Sequence, residues 1–182
     1  MSIQRGTHAF GPESGTLTVK TKRTGAAAKA GHNLVIDVTA WRATLEIGED
    51  PARSSVELDA DATSLRVREG SGGMQALGDD DKANIEQTID DEVLKRQPIE
   101  FRSTAVAIAE DGSRISVQGT LTLGGKTGPI ALELAIGAGG ALSGGAVFKQ
   151  SDWGIEPYST LFGTLKVVDE VEVSLDASLP SR

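Results

Sequence analysis

His8 and His32 are the residues of this chain best suited to acid–base chemistry or metal binding. A neutral imidazole can serve as a general base or as a zinc ligand. The pair lacks the HxxxH spacing of zinc sites, and no Gly-x-Ser-x-Gly elbow supplies a nucleophile. The absence of cysteine excludes disulfides, thiolate metal sites and cysteine nucleophiles. The sequence therefore predicts no catalytic and no metal-ligating residue, and a histidine-dependent enzyme is the least favoured alternative.

Two short motifs imitate ligand-binding loops. The run 124–127, Gly-Gly-Lys-Thr, resembles the end of a phosphate-binding loop. Thr120 stands where that loop needs a glycine, and Pro129 leads into a strand instead of a helix. The run 79–81, Asp-Asp-Asp, resembles a calcium loop, but Ala83 occupies a position that needs Asp or Asn. We interpret the first motif as a hairpin turn and the second as a helix cap.

The densest polar and aromatic cluster is the run 150–158, QSDWGIEPY, which contains Trp153 and Tyr158. These rings can form the mouth of a pocket and hold a ligand head by stacking and hydrogen bonding. Alternatively, the run is a corner where a strand leaves the sheet and the tryptophan plugs the end of a barrel. The sequence leaves both interpretations open.

The strongest pattern in the chain is the period of two over residues 114–136. Apolar residues alternate with polar ones before and after a Gly-Gly-Lys-Thr-Gly-Pro turn, which predicts two antiparallel strands with one apolar face. The same alternation recurs at residues 15–20, 56–61, 65–68, 99–109, 142–149 and 171–177, and the β-branched residues of 35–47 predict one or two further strands. Ile85, Ile89 and Val93 instead follow helical spacing. We predict an all-β fold of about eight short strands with one helix near residues 80–94, in a single domain 1–182, as a barrel or a sandwich.

Composition and charge limit the partners. The net charge of −8 argues against nucleic acid and anionic membrane surfaces as main partners. Apolar runs fall far short of the roughly 18 residues that a spanning helix needs, so we expect no stable membrane insertion. The first residues, MSIQRGTHAFGPESG, show no apolar central segment of a secretory signal, and we expect a cytoplasmic protein.

Small residues suggest space inside the barrel. Ala105, Gly119, Gly144 and Ala146 lie in phase with the apolar residues of their strands. Few aromatics and many small residues favour a dry aliphatic cavity, which suits a long lipid better than a sugar or nucleotide. The predicted lining is Phe101, Ile115, Val117, Leu121, Leu132, Leu134, Ala146, Phe148, Val173 and Leu175, with Trp153 and Tyr158 at the mouth.

Several segments in a shared order resemble the YceI-like family of lipocalin-like polyisoprenoid-binding proteins. They are Ser-Val-Glu-Leu-Asp-Ala at 55–60, Phe-Arg-Ser-Thr at 101–104, Val-Gln-Gly-Thr-Leu-Thr-Leu-Gly-Gly at 117–125, Ser-Asp-Trp-Gly-Ile at 151–155 and Asp-Glu-Val-Glu-Val at 169–173. The resemblance implies an extended eight-stranded antiparallel lipocalin-like β-barrel with a helix, and an isoprenoid chain or quinone-like lipid in its pore.

The leading hypothesis is a non-enzymatic protein that binds a long isoprenoid-type lipid as carrier, store or sensor, with no other cofactor. The main alternative is a structural or stress-related barrel with a filled core that acts through protein interactions. Such a barrel can form a homodimer through an edge strand. A large apolar cavity would count against a filled core.

Overall fold

The computed structural model describes residues 3–179. It contains an α-helix, α1 (Asp79–Thr88), which continues as a π-helical turn (Ile89–Val93). Short 3₁₀ turns lie at Ala28–Ala30, Pro51–Arg53, Ala62–Ser64, Ala138–Gly140, Gln150–Trp153 and Leu161–Gly163. The strands are β1 (Gly6–Phe10), β2 (Gly15–Thr21), β3 (Arg23–Thr24), β4 (Asn33–Val38), β5 (Trp41–Ile47), β6 (Ser55–Ala60), β7 (Leu65–Ser71), β8 (Ile99–Ile108), β9 (Arg114–Leu123), β10 (Lys126–Ile136), β11 (Ala141–Lys149), β12 (Ser159–Thr160), β13 (Leu165–Val167) and β14 (Glu170–Ser178).

Eleven strands form one sheet in the order β1-β5-β6-β8-β9-β10-β11-β14-β2-β4-β7. Neighbouring strands in it pair antiparallel, as the alternating sequence pattern predicts. A small second sheet, β12-β13-β3, lies beside it. The fold is therefore mostly β with one helical segment, close to the predicted 80–94.

The large sheet is strongly curled. Strands β4 and β5 lie near opposite ends of the strand order, yet β4 ends at Val38 and β5 begins at Trp41. A link of this length spans at most about 11 Å, so the two ends of the sheet must approach each other. One face of the curled sheet consequently becomes an interior.

The predicted closed barrel of eight strands is wrong in its details, because the sheet has eleven strands and two ends. Short irregular stretches lie at residues 39–40 and 61–64. These stretches hydrogen-bond to each other, since the Thr39 amide donates to the Ser64 carbonyl at 2.9 Å and the Asp61 amide to the Ala40 carbonyl at 3.0 Å. The break at 39–40 divides residues 35–47 into two strands, and the stretch 61–64 separates the two runs at 56–61 and 65–68.

One end of the interior is filled with side chains. Ile115, Val117 and Leu142 are the largest fully buried side chains of the described chain, with Leu45 and Val106 buried beside them in the same core. These residues form the packed end of the curled sheet. The other end is hollow.

A bulge in β8 decides which of its residues face inward. The register against β9 shifts between Ser103 and Ala105, so the inward phase moves from Phe101 to Val106. Ala105 is exposed as a result. The prediction that Ala105 leaves space inside the barrel is therefore wrong, because a period of two does not survive a bulge.

The helix covers one edge of the sheet. Glu86 on α1 accepts a hydrogen bond from the Val67 amide of edge strand β7 at 2.8 Å, and the Lys82 ammonium donates to the Arg68 carbonyl at 3.3 Å. The side chains of the helix thus satisfy backbone groups of β7 that would otherwise be free to pair with a strand of another chain. The N-cap is Gly78, the Asp run forms the first turn, and Asp81 accepts a hydrogen bond from the Gly78 amide at 3.0 Å, which ties the acidic run to the start of the helix.

Candidate functional site: an apolar cavity

The hollow end of the sheet encloses a cavity of about 490 Å³. Its wall combines inward residues of ten strands of the large sheet and of β13 with the inner side of the helical segment. Ile85, Ile89 and Val93 contribute from the helical segment, and Val19 and Ile36 are examples from the strands. Because the helical segment packs against the curled sheet, the apolar residues at period two in the strands and those at helical spacing line the same cavity.

The cavity is chemically uniform. Asp, Glu, Lys, Arg and His are absent from its lining. The polar side chains that reach it are Thr21, Asn84, Thr88, Gln150 and Tyr158. Gln150 is buried, and its amide nitrogen donates to the Val168 carbonyl at 3.2 Å, so this donor is already engaged. Such a wall offers dispersion contacts and few hydrogen bonds.

Most of the sequence-predicted lining residues lie on the cavity. They are Phe101, Leu121, Leu132, Leu134, Ala146, Phe148, Tyr158, Val173 and Leu175. Ile115 and Val117 do not line it, because they are fully buried at the packed end. They share the alternation of their hairpin, but periodicity reports only the inner face and not the position along the strand.

Trp153 also lies outside the cavity lining. Its side chain is buried, and its indole nitrogen donates to the Leu121 carbonyl at 2.8 Å. It packs edge-on against Phe148, with ring centroids 5.0 Å apart, and Phe148 does line the cavity. The structure therefore favours the corner interpretation over the pocket mouth for Trp153, which supports the wall from behind.

The cavity reaches solvent where its lining residues are exposed. Asn84 on α1 and Tyr158 directly before β12 line the cavity and are both solvent-exposed. Tyr158 is therefore at the mouth, where the sequence predicts it. We call this opening, marked by Asn84 and Tyr158, the mouth.

The glycines of the wall have separate effects. A Cβ atom at Gly119 would lie 2.6 Å from the Phe101 ring and 2.4 Å from the Arg102 carbonyl oxygen. Gly119 thus makes room for the phenyl ring and does not line the cavity. Gly145 lines the cavity, and its missing Cβ would lie 1.9 Å from the Val173 carbonyl oxygen. Close approach of neighbouring strands explains this second glycine.

Several residues that line the cavity are not among those that the sequence predicts. They include the strand residues Leu17, Val19, Ile36, Val56 and Ile130, and the helix residues Ile85, Ile89 and Val93. All of them belong to the same alternating or helical patterns that predicted their elements. The alternation predicts which side chains point inward. Which of those inward side chains line the cavity depends on the strand order, which the alternation does not show.

The two histidines lie outside the cavity lining and contact backbone carbonyls. The His8 ring contacts the Gln4 carbonyl at 2.8 Å, and the His32 ring contacts the Gln75 carbonyl at 2.6 Å. Neither lines the cavity. Within residues 3–179, no group of three or more His, Asp or Glu side chains is placed to hold a metal ion.

The motif at 124–127 is a hairpin turn. Gly124 and Gly125 have φ of +58° and +83° and connect β9 to β10 directly, with Lys126 already in the strand. The turn is shorter than the sequence suggests, and Pro129 lies inside β10. That part of β10 pairs with β9 alone, and a proline is tolerated where a strand lacks a second neighbour.

The corner that carries Trp153 is fixed by a carboxylate. Asp169 accepts hydrogen bonds from the Ser151 hydroxyl at 2.6 Å and from the Ser151 amide at 2.9 Å. These two bonds, the hydroxyl first, lower the pKa of Asp169 below its ordinary value of 3.8. The ionised carboxylate thereby ties the 3₁₀ turn Gln150–Trp153 to the start of β14.

The family model described as YceI-like domain matches residues 10–179. Comparison with curated proteins finds no match. The matched region includes every strand from β2 to β14 and the helix. Among the described residues, no helix is both long and apolar enough to cross a bilayer.

Solved structures share this fold. Burkholderia cenocepacia BcnA is 17% identical with a TM-score of 0.61, and the match covers 89% of this chain and 94% of that one. The Campylobacter jejuni YCEI protein is 14% identical with a TM-score of 0.53, over 80% of this chain and 85% of that one. A mutant CJ YCEI protein with a monobromobimane guest gives 15% and 0.58, over 81% and 84%. At such identities the likeness concerns the fold.

Proposed function

Since this chain belongs to the YceI-like family, we propose that it binds a long isoprenoid-type lipid in the cavity, without catalysing a reaction. The observation that carries the proposal is the aliphatic wall of a 490 Å³ cavity with no ionisable side chain other than the Tyr158 phenol at its mouth. The role is that of a carrier, store or sensor.

The wall favours an apolar chain over a polar ligand. Each buried CH₂ group contributes about 0.8 kcal/mol, so an aliphatic chain gains affinity along its whole length. A sugar or nucleotide would lose its water without finding replacement hydrogen bonds. The same argument keeps a charged head group out of the cavity, and such a group would remain at the mouth.

The volume is consistent with this kind of ligand. A cavity of 490 Å³ lies within the roughly 300–1,000 Å³ of small-molecule sites. It accommodates a compact apolar molecule or one end of a longer chain. Asn84, Thr88 and Tyr158 are the polar groups nearest the mouth that can contact a carbonyl or hydroxyl on such a ligand.

Organic extraction of the purified protein followed by mass spectrometry tests the proposal. Ala146→Phe fills part of the cavity and is expected to reduce the extracted lipid strongly. Ala131→Phe is the matched control, because Ala131 is exposed on β10 and absent from the lining. Repeated absence of lipid from the wild type, together with failure to take up added isoprenoid, would contradict the proposal.

The filled-core alternative finds support only at the packed end. Ile115, Val117 and Leu142 fill that end completely, but the space between β2, β14 and the helix is hollow. The histidine-dependent alternative has no geometric support, because each histidine ring contacts a backbone carbonyl and neither reaches the cavity.

A further inference from the structure

The tip of the β12–β13 hairpin exposes large apolar side chains. Phe162 is fully exposed at 108%, and Leu161 is 51% exposed. Both have positive φ, +51° for Leu161 and +56° for Phe162, and they precede Gly163 at +82°. Left-handed backbone is uncommon outside glycine, and here it holds the two side chains in water. Clustered exposed apolar side chains mark interaction sites.

This tip belongs to the mouth of the cavity. Tyr158 and Val167, at the two ends of the hairpin, both line the cavity. The exposed tip and the apolar interior are therefore joined through one short hairpin. A surface that covered the tip would also face the mouth.

The surroundings of the tip are basic, although the chain carries a net charge of −8. The segments 22–32 and 157–168 contain Lys22, Arg23, Lys29 and Lys166 and no Asp or Glu, although Glu156 and Asp169 border the second segment. They are joined in space, because β13 pairs with β3 and the Ala27 amide donates to the Thr164 carbonyl at 2.8 Å. Arg23 is engaged with the Gly31 carbonyl. The three lysines are exposed, and none of the ion pairs between described residues includes them.

We propose that this hairpin docks on the surface of a lipid bilayer that contains anionic lipids. Leu161 and Phe162 would enter the boundary between head groups and acyl chains, and Lys22, Lys29 and Lys166 would contact lipid phosphates. Docking brings the mouth against the membrane, so an apolar ligand passes between bilayer and cavity with little exposure to water. The inference rests on the proposed lipid-binding function for its purpose, but docking is measured separately.

The acidic part of the molecule restricts the docking orientation. The outer side of the helical segment carries Asp79, Asp80 and Asp91, which an anionic surface repels. Contact is therefore through the hairpin side of the mouth, with the acidic first turn of the helix tilted away from the surface. The net charge of −8 argues against an anionic membrane as a main partner, but it is a sum over the whole chain and does not report this local basic region.

Co-sedimentation with vesicles tests the docking. Wild-type protein is expected to bind vesicles of phosphatidylcholine with phosphatidylglycerol, more weakly vesicles of phosphatidylcholine alone, and less at high salt. The double variant Leu161→Ser with Phe162→Ser is expected to lose about tenfold or more in partitioning, as is Lys29→Glu with Lys166→Glu. Val147→Ser is the matched control, because Val147 is 63% exposed on the outer face of β11.

The same variants separate docking from lipid binding. The double tip variant is expected to keep its extractable lipid, whereas Ala146→Phe is expected to lose lipid and still sediment with vesicles. No sedimentation of the wild type with anionic vesicles, or equal sedimentation of the tip variant and wild type, would overturn the docking proposal. Both outcomes leave the extraction experiment free to support or contradict lipid binding.

Discussion

Gly119 shows at the residue scale how a missing side chain positions another one. The Phe101 ring occupies the space that a Cβ at Gly119 would need, and this ring forms part of the cavity wall. Sequence alternation suggests a gap for the ligand at Gly119, but alternation does not show which neighbour fills a gap. The glycine therefore acts on the cavity through the position of Phe101.

Gly119→Ala is expected to destabilise the fold by about 1–3 kcal/mol, because the new methyl group overlaps the Phe101 ring and the Arg102 carbonyl. Urea denaturation measures this loss. Gly137→Ala is the control, since its φ of −94° suits alanine and its Cβ would have an ordinary nearest contact of 3.4 Å, so the expected change is under about 1 kcal/mol. Equal denaturation midpoints for Gly119→Ala and wild type would show that the wall relaxes easily.

Three aspartates predict the response of the fold to acid. Hydrogen bonds from Ser113, Thr63 and Ser151 lower the pKa values of Asp111, Asp61 and Asp169 below 3.8. A carboxylate with a depressed pKa in the folded state stabilises the fold above its unfolded value and loses that contribution as pH falls through the folded value. Stability is therefore expected to fall as pH drops below 3.8.

Asp169→Asn is expected to have a smaller acid-induced change in its urea midpoint than the wild type, because its contribution no longer titrates. Midpoints measured at pH 7 and at a series of values below 3.8 provide the comparison. Asp152→Asn is the control, since Asp152 is an exposed carboxylate of the same turn. A profile for Asp169→Asn that matches the wild type would contradict the assigned cause.

At the scale of elements, the patterns in the sequence predict the individual strands and the helix better than they predict the strand order. The β9–β10 hairpin and the helix follow directly from periods of two and of helical spacing. The break at residues 39–40 has no such signal, because Thr39 and Ala40 are compatible with a continuous strand. What defines the break is a set of hydrogen bonds to residues 61–64, which lie far along the chain. The cavity residues that were missed depend on the same long-range order.

Glu86→Ala is expected to open the edge of β7 locally. The Val67 amide would lose its acceptor, at a cost of about 1 kcal/mol. Hydrogen exchange of the Val67 amide measures the opening, with a faster rate expected in the variant. Gln87→Ala, on the exposed neighbouring residue, is expected to leave that rate unchanged. Unchanged exchange in Glu86→Ala would show that the helix covers the edge without this bond.

At the scale of the whole molecule, the interior is divided between a packed end and a hollow end. The hollow end gains contacts only when a ligand fills it, so lipid removal is expected to lower the apparent stability. For a ligand held at about 100 times its Kd, the midpoint of thermal unfolding should drop by roughly 5–10 °C on extraction. Ala146→Phe is expected to change little on extraction. Equal thermal midpoints before and after complete extraction of the wild type would argue against a ligand in the hollow end.

The division of the interior also bears on how such a protein diversifies under selection. Exchanges among aliphatic residues of similar volume usually cost less than about 1.5 kcal/mol, so residues such as Val19 and Ile36 can vary while the end around Ile115 and Leu142 keeps the chain folded. Substitutions at the hollow end would therefore change the fit of the proposed ligand, while the packed end maintains the fold. Under the proposed lipid-binding function, ligand preference can change by single substitutions in the cavity wall, each at a modest cost in stability.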